Sequence, residues 1–151
     1  MASMHLLRVG VDAEGRSCVV ERTEVATNAI DGVALASMAS IVTTDETPPP
    51  PGPPGLGALV NSNLPPGHVS CFVVEHEPRE RSDGPTTTDL HWRNALEVVV
   101  ILDGAAEMVL GDGAHPVVAG DCVVLHGGDH ALRPAAVGCR LVAFSIGTLP
   151  A

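Results

Sequence analysis

Tyrosine is missing from this 151-residue chain, and two Phe and one Trp make up its whole aromatic content. A core must therefore be built from Val, Leu, Ile, Ala and Met, and the 45% hydrophobic content supplies enough of them for a globular domain. Basic side chains are also scarce. Eight Lys and Arg stand against eighteen Asp and Glu, a formal charge of −10, which argues against nucleic acid and anionic membrane surfaces because binding to either is driven by cations. No CxxC spacing occurs among Cys18, Cys71, Cys122 and Cys139. They read as small buried hydrophobes in a reduced compartment, not as a disulfide scaffold. The amino terminus MASMHLLRVG has no apolar signal region, and no later run approaches membrane-spanning length. A cytoplasmic protein with a single domain over 1–151 is expected, with no nucleic-acid and no membrane partner.

What the chain has instead is a succession of short β-favouring runs and turn residues. HLLRVGVDAEGRSCVVERTEV, residues 5–25, places Asp12-Ala13-Glu14-Gly15 between two such runs and predicts a hairpin. Residues 29–42, AIDGVALASMASIV, fit a strand better than a short helix capped by Asp31. TPPPPGPPG at 47–55 cannot donate to a ladder at any proline and predicts a semi-rigid loop or lid. HVSCFVVE at 68–75 reads as a strand and 76–88 as a polar loop. Runs at 96–102, 106–110, 115–118, 122–126 and 139–146 follow, separated by LDGA, GDG, AGD and GGDHALRPAAVG. Short strands at that spacing indicate an antiparallel sandwich or barrel.

Glu97 heads the run EVVVIL, where apolar residues at every following position imply a strand covered on both faces. A buried carboxylate there needs a cation, a metal or a proton, since leaving it ionised and alone costs several kcal/mol. In extended chain His91, Arg93 and Glu97 share parity and face one way, with Trp92 facing the other.

These residues resemble the cupin superfamily, whose motifs read G(X)5HXH(X)3-4E(X)6G and G(X)5PXG(X)2H(X)3N. His91 stands in place of the first histidine, Glu97 and Gly104 keep the acid-to-glycine spacing, and Ala119-Gly120-Asp121 is similar to the PGD turn. Gly127 and His130 fall at the GxxH interval, with the turn glycine one residue off the generic spacing. Within residues 86–146, HWRNALEVVVILDGAAEMVLGDG and AGDCVVLHGGDHALRP each align to small single-domain cupins without a gap. The resemblance implies an all-β fold, an antiparallel cupin or jelly-roll β-barrel. Two motif positions depart: Arg93 replaces the second histidine and Pro134 the terminal asparagine. Of the usual three histidines and one glutamate, His91, Glu97 and His130 carry over. As two histidines and a carboxylate they could hold a divalent Zn, Fe, Mn or Ni with positions open. Arg93 offers the alternative of pairing with Glu97 and leaving no room for the ion.

The mouth and interior of a small barrel form a natural small-molecule pocket. His91, Glu97, His130 and Arg93 are the candidate catalytic residues. The expected function is an enzyme acting on a small organic carbonyl compound, acid or natural-product-type molecule through a metal held by His91, Glu97 and His130. It would work as an oxygenase, decarboxylase, isomerase, or dehydratase or cyclase. The alternatives are a metal-free enzyme in which His91 or His130 is the base and Arg93 clamps a substrate carboxylate, and a non-catalytic ligand-binding or sensor cupin. Similar cupins pair through edge strands, so a homodimer is expected. Asp121 is read as a turn-fixing residue, His115 and His126 as surface or satisfied-core histidines, and Met108, Val99 and Ile101 as core contacts. No role is assigned to His68 or His76, and Trp92 is expected on the outside of the barrel.

Overall fold

Residues 3–32, 34–60, 64–78 and 90–151 are described in a computed structural model, and among them every regular element is a β-strand. The expected amino-terminal hairpin forms because Asp12 organises its own turn. Its Oδ1 accepts the amides of Glu14 and Arg16 at 3.0 and 2.9 Å, and Gly15 takes a φ of 79° that a side chain would resist. The turn joins β1, His5–Val11, to β2, Ser17–Glu24. The strand expected over 29–42 shrinks to two-residue pieces, β3 Asn28–Ala29 and β4 Ser37–Met38, which pair with each other. Residues 47–55 form no strand, as their prolines require; β5, Ala58–Leu59, follows them, and then β6, Val69–His76. Of the polar loop expected at 76–88, residues 79–88 lie outside the described residues, as do 86–89 of the cupin-like stretch.

The carboxy-terminal half differs from expectation in a way that shapes the site. After β7, His91–Trp92, the turn expected at LDGA does not form, and the runs 96–102 and 106–110 are one strand, β8, Ala95–Leu110. Strand β9 is Gly113–Val118 and β10 is Cys122–His126; the next turn is confined to 127–130, after which β11 runs unbroken from Ala131 to Gly147. Both long strands survive because their irregularities oppose each other. Pro134 stands opposite Ala106 and Cys139 opposite Gly104, five steps along β11 against two along β8. Gly104 has a φ of 75°, and a Cβ on it would stand 2.1 Å from the Gly138 carbonyl oxygen. This bulge lets β8 change which parity faces inward. Glu97, Val99 and Ile101 are buried before it, and Ala106, Met108 and Leu110 after it.

The main sheet runs β2-β1-β10-β8-β11-β6, with β9 pairing β8. It is mixed and not closed. Strand β1 pairs β10 in parallel, so the expectation of a wholly antiparallel sheet fails at that seam. The expected direction followed from short turns between sequence neighbours, and β1 meets a strand more than a hundred residues away, where no turn sets direction. The core is aliphatic as composition requires: Leu7, Val9, Ile101, Met108, Val117, Val123 and Leu141 pack together on one face. On the other face Ile41 and Val42 cover Leu6, Leu96, Cys122 and Val124, so β10 is buried on both sides. The four cysteines are free thiols; Cys122 and Cys139 are buried as expected, but Cys71 is exposed. Burial raises the Cys122 thiol to about 11. No helix of the described residues is long and apolar enough to cross a membrane.

Candidate functional site

Glu97 points inward from the start of β8 and is 4% exposed. Its needs as a buried carboxylate are met on one oxygen. Arg93 Nη1 donates to Oε1 in an ion pair, and Ser145 Oγ donates to the same oxygen at 2.9 Å. Ser145 stands directly opposite Glu97 in the β8–β11 register, so the ladder that aligns the strands also delivers the hydroxyl. The other oxygen, Oε2, lies 3.7 Å from His130 Nε2, too far for a hydrogen bond.

His91 and His130 are brought together by backbone pairing. The His91 amide donates to the His130 carbonyl at 3.2 Å and the His130 amide donates back at 2.8 Å, so the side chains emerge on the same face. Their ring centroids are 4.8 Å apart, with the planes tilted by 53°. His130 Nδ1 contacts the Gly128 carbonyl oxygen at 3.3 Å. A carbonyl can only accept, so the neutral ring carries its proton on Nδ1 and presents the Nε2 lone pair toward Glu97. Burial pushes the His130 pKa below the ordinary imidazole value, opposed by the negative charge of Glu97 and assisted by the Arg93 guanidinium.

The proline-rich stretch is the strap that holds this histidine pair. Prolines offer carbonyls without competing amides, and here Pro53 O accepts the Gly128 amide at 2.8 Å, Pro50 O the His126 Nε2 hydrogen at 2.9 Å, and Pro49 O the Leu149 amide at 3.2 Å. Asp129 ties down the strap's end: it is 5% exposed, and its two oxygens accept the amides of Leu56 at 2.6 Å and Gly57 at 2.9 Å. Glycine is required where the strap meets the site, since a Cβ at position 55 would stand 2.2 Å from Asp129 Oδ1. Strand β5 then pairs with β7 in parallel, Ala58 beside His91 and Leu59 beside Trp92. Trp92 is half-buried, with the strap at Gly55 packed against its ring.

A cavity of about 910 Å³ opens against these groups. His91, Glu97 and His130 line it together with Val99, Met108, Leu125 and Leu141, while Glu75, His76 and Glu77 line its exposed end. Three of the four predicted site residues therefore share one aliphatic pocket. Arg93 does not line it. It reaches Glu97 from a separate crevice beside Asn94, Pro65 and Thr148, because the chain at 93–94 leaves the strand and breaks the parity expected of His91, Arg93 and Glu97. The guanidinium pairs with Glu97, so the expected clamp on a substrate carboxylate is not formed by Arg93. Ile101 is a core contact, whereas Val99 and Met108 belong to both core and cavity wall.

The expected metal ligands converge only in part. Donors on one tetrahedral zinc lie about 3.4 Å apart, given bonds of about 2.0–2.2 Å, so His130 Nε2 and Glu97 Oε2 are slightly too separated. Among the described residues, no group of three His, Cys, Asp or Glu side chains is arranged to hold an ion. Holding one would require side-chain movement around an Oε1 already fixed by Arg93 and Ser145.

The remaining histidines and acids have structural partners. His126 braces the strap, His115 pairs with Asp112 at 2.7 Å, and Asp121 accepts the Val118 amide at 3.0 Å and the His5 amide at 3.2 Å, the turn-fixing role expected of it. Sequence reasoning missed Ser145, Asp129 and the cavity-end residues Glu75, His76 and Glu77. Ser145 carries no motif, only its register opposite Glu97. Asp129 had a visible signal in its place between a glycine pair and His130. No protein-family model matches the chain, and a search of curated proteins finds no match.

Proposed function

We propose that the chain is a small-molecule enzyme of cupin type that transfers a proton on an organic carbonyl compound held in the aliphatic cavity, with His130 as base and then acid. The observation that carries this reading is the orientation of His130: its Nδ1 faces the Gly128 carbonyl and its Nε2 faces the cavity beside Glu97 Oε2. Burial keeps the ring neutral and ready to accept. A C–H bond next to the carbonyl breaks, its electron pair passes to the carbonyl oxygen as an enolate, and the proton goes to Nε2. The imidazolium so formed is stabilised by the carboxylate across the 3.7 Å gap. Return of a proton to the same carbon completes an exchange, and its return to the opposite face of that carbon a racemisation. His91, on the same face, is the group placed to donate to the oxygen. Arg93 and Ser145 are positioning residues that fix Glu97.

A second reading places a divalent Zn, Fe, Mn or Ni on His91, Glu97 and His130. The presence of two histidines and a carboxylate on one cavity wall favours it, and the neutral lone pair on Nε2 would serve as a ligand as well as a base. Bound there, the ion would polarise a carbonyl or activate water. One experiment separates the two: deuterium incorporation from D2O into a panel of aldehydes, ketones and oxo acids, followed by NMR, with elemental analysis of the same preparation. Proton transfer by His130 predicts incorporation that survives chelator and disappears in His130→Ala. Incorporation lost to chelator and restored by one metal equivalent would install the metal reading instead. A cavity that binds a panel member and exchanges nothing over many hours would leave a non-catalytic binding module.

A further inference from the structure

The cavity's charges define what it will accept, and the balance is one-sided. Among its described lining residues three are carboxylates, Glu75, Glu77 and Glu97, and none is Lys or Arg. The chain contains no lysine at all, and its eight cations are arginines. Each arginine among the described residues is held by a carboxylate or a carbonyl. Arg8 pairs with Glu21, Arg16 with Asp12, Arg93 with Glu97, Arg133 with Glu107 and Arg140 with Glu75, while Arg22 donates to the Pro116 carbonyl. Glu97 is thus offset by its own cation from outside the cavity, and Glu75 by Arg140. Glu77 adds an exposed negative charge at the open end.

From this we infer that the cavity selects neutral or cationic apolar molecules and rejects carboxylates and phosphates, an inference that rests on the cavity being the ligand site proposed above. An anionic ligand entering it would lose its hydration against Val74, Val99, Met108, Leu125 and Leu141 and meet carboxylates in place of a counter-charge. An ammonium group gains from the same arrangement at the exposed end, and a hydroxyl or carbonyl finds His91 and His130 at the inner one. Specificity arises here from groups that repel the wrong ligand as much as from those that hold the right one. The acid branch of the substrates expected from sequence is accordingly set aside in favour of neutral carbonyl compounds, alcohols and amines.

The test uses three probes on one skeleton, 2-naphthalenemethanol, 2-naphthylmethylamine and 2-naphthoate, titrated into protein carrying ¹³C-methyl methionine. The Met108 methyl reports entry, because Met108 lines the cavity and is 2% exposed. The alcohol and the amine are expected to shift the Met108 signal saturably, and the naphthoate to bind at least tenfold more weakly. Naphthoate binding as tightly as the alcohol with the same Met108 shift overturns the inference, as does failure of all three to move that signal. Occupancy is read without chemistry, so selectivity can hold while deuterium exchange fails, and exchange can hold on oxo acids while selectivity fails.

Discussion

Glu97 and Asp129 are both almost wholly buried carboxylates in the same quarter of the molecule, yet they are satisfied in opposite ways. Asp129 gives both oxygens to backbone amides of the strap and meets no cation among its hydrogen-bond partners. Glu97 receives a guanidinium and a hydroxyl on one oxygen and turns the other toward His130 and the cavity. The difference separates architecture from chemistry. A carboxylate saturated by main-chain donors fixes a loop and has nothing left to offer a ligand, whereas one anchored on a single side is held in position with an acceptor to spare. The two also depend on each other, since the strap that Asp129 fastens is paired to β7, which carries His91.

The largest effect should come from Arg93→Ala, which leaves Glu97 buried without its cation. Removing one partner of a buried pair costs about 3–5 kcal/mol, to be read from denaturant unfolding, and the loss should be partly recovered in Arg93→Ala combined with Glu97→Gln. A cost near zero would mean that Glu97 is as indifferent to charge as Asp129, and the contrast would collapse. Asp129→Ala should come next. It strands the amides of Leu56 and Gly57, at about 1–3 kcal/mol for each buried donor left unsatisfied, reduced where water can reach it. The strap should then become a site of proteolytic cleavage while the ion pair at Glu97 persists. Unchanged protease resistance of residues 49–57 would show that the proline carbonyl contacts hold the strap without Asp129.

How much of this was legible in the sequence follows from the range of each interaction. The amino-terminal hairpin was readable because Asp12 and Gly15 write their turn within four residues. Glu97 was readable because an acid at the head of an unbroken apolar run is a local anomaly, and the i,i+4 spacing of Arg93 already named its partner. What stayed hidden depends on register and direction between distant strands. Gly104 signals a turn when read alone; only opposite Gly138 does it become a bulge inside a continuous strand. The parallel β1–β10 seam has no local signature, and Ser145 gains its meaning solely from standing opposite Glu97. The strap's composition announced a stiff loop without saying what it would be laid across.

Ser145→Ala is a smaller test of the anchored side. It removes one of two donors to Oε1 while Arg93 remains, so a loss of about 1 kcal/mol is expected. More telling than the stability change would be reduced deuterium exchange at unchanged ligand affinity, because a loosened Glu97 supports the imidazolium less well. Equal losses in Ser145→Ala and Arg93→Ala would mean that the hydroxyl and the cation are interchangeable, contrary to the charge-based account of this carboxylate.

The smallest effect concerns pH, and it falls on the histidine between the two acids. Burial lowers the His130 pKa in the folded protein while the unfolded chain keeps the ordinary imidazole value. The unfolded state therefore takes up the proton first as pH falls. Stability contributed by the neutral ring is complete above the ordinary imidazole value, declines as pH drops through the interval down to the lowered folded value, and is flat below it. His130→Gln removes that proton site, so its melting temperature should fall less than the wild type's between about pH 7.5 and pH 5. Asp129→Ala provides the comparison. If fastening the strap is what keeps His130 dry, releasing it should flatten the same slope by admitting water, whereas a slope identical to the wild type's would place the desolvation wholly in the aliphatic cavity walls and make the two carboxylates energetically independent.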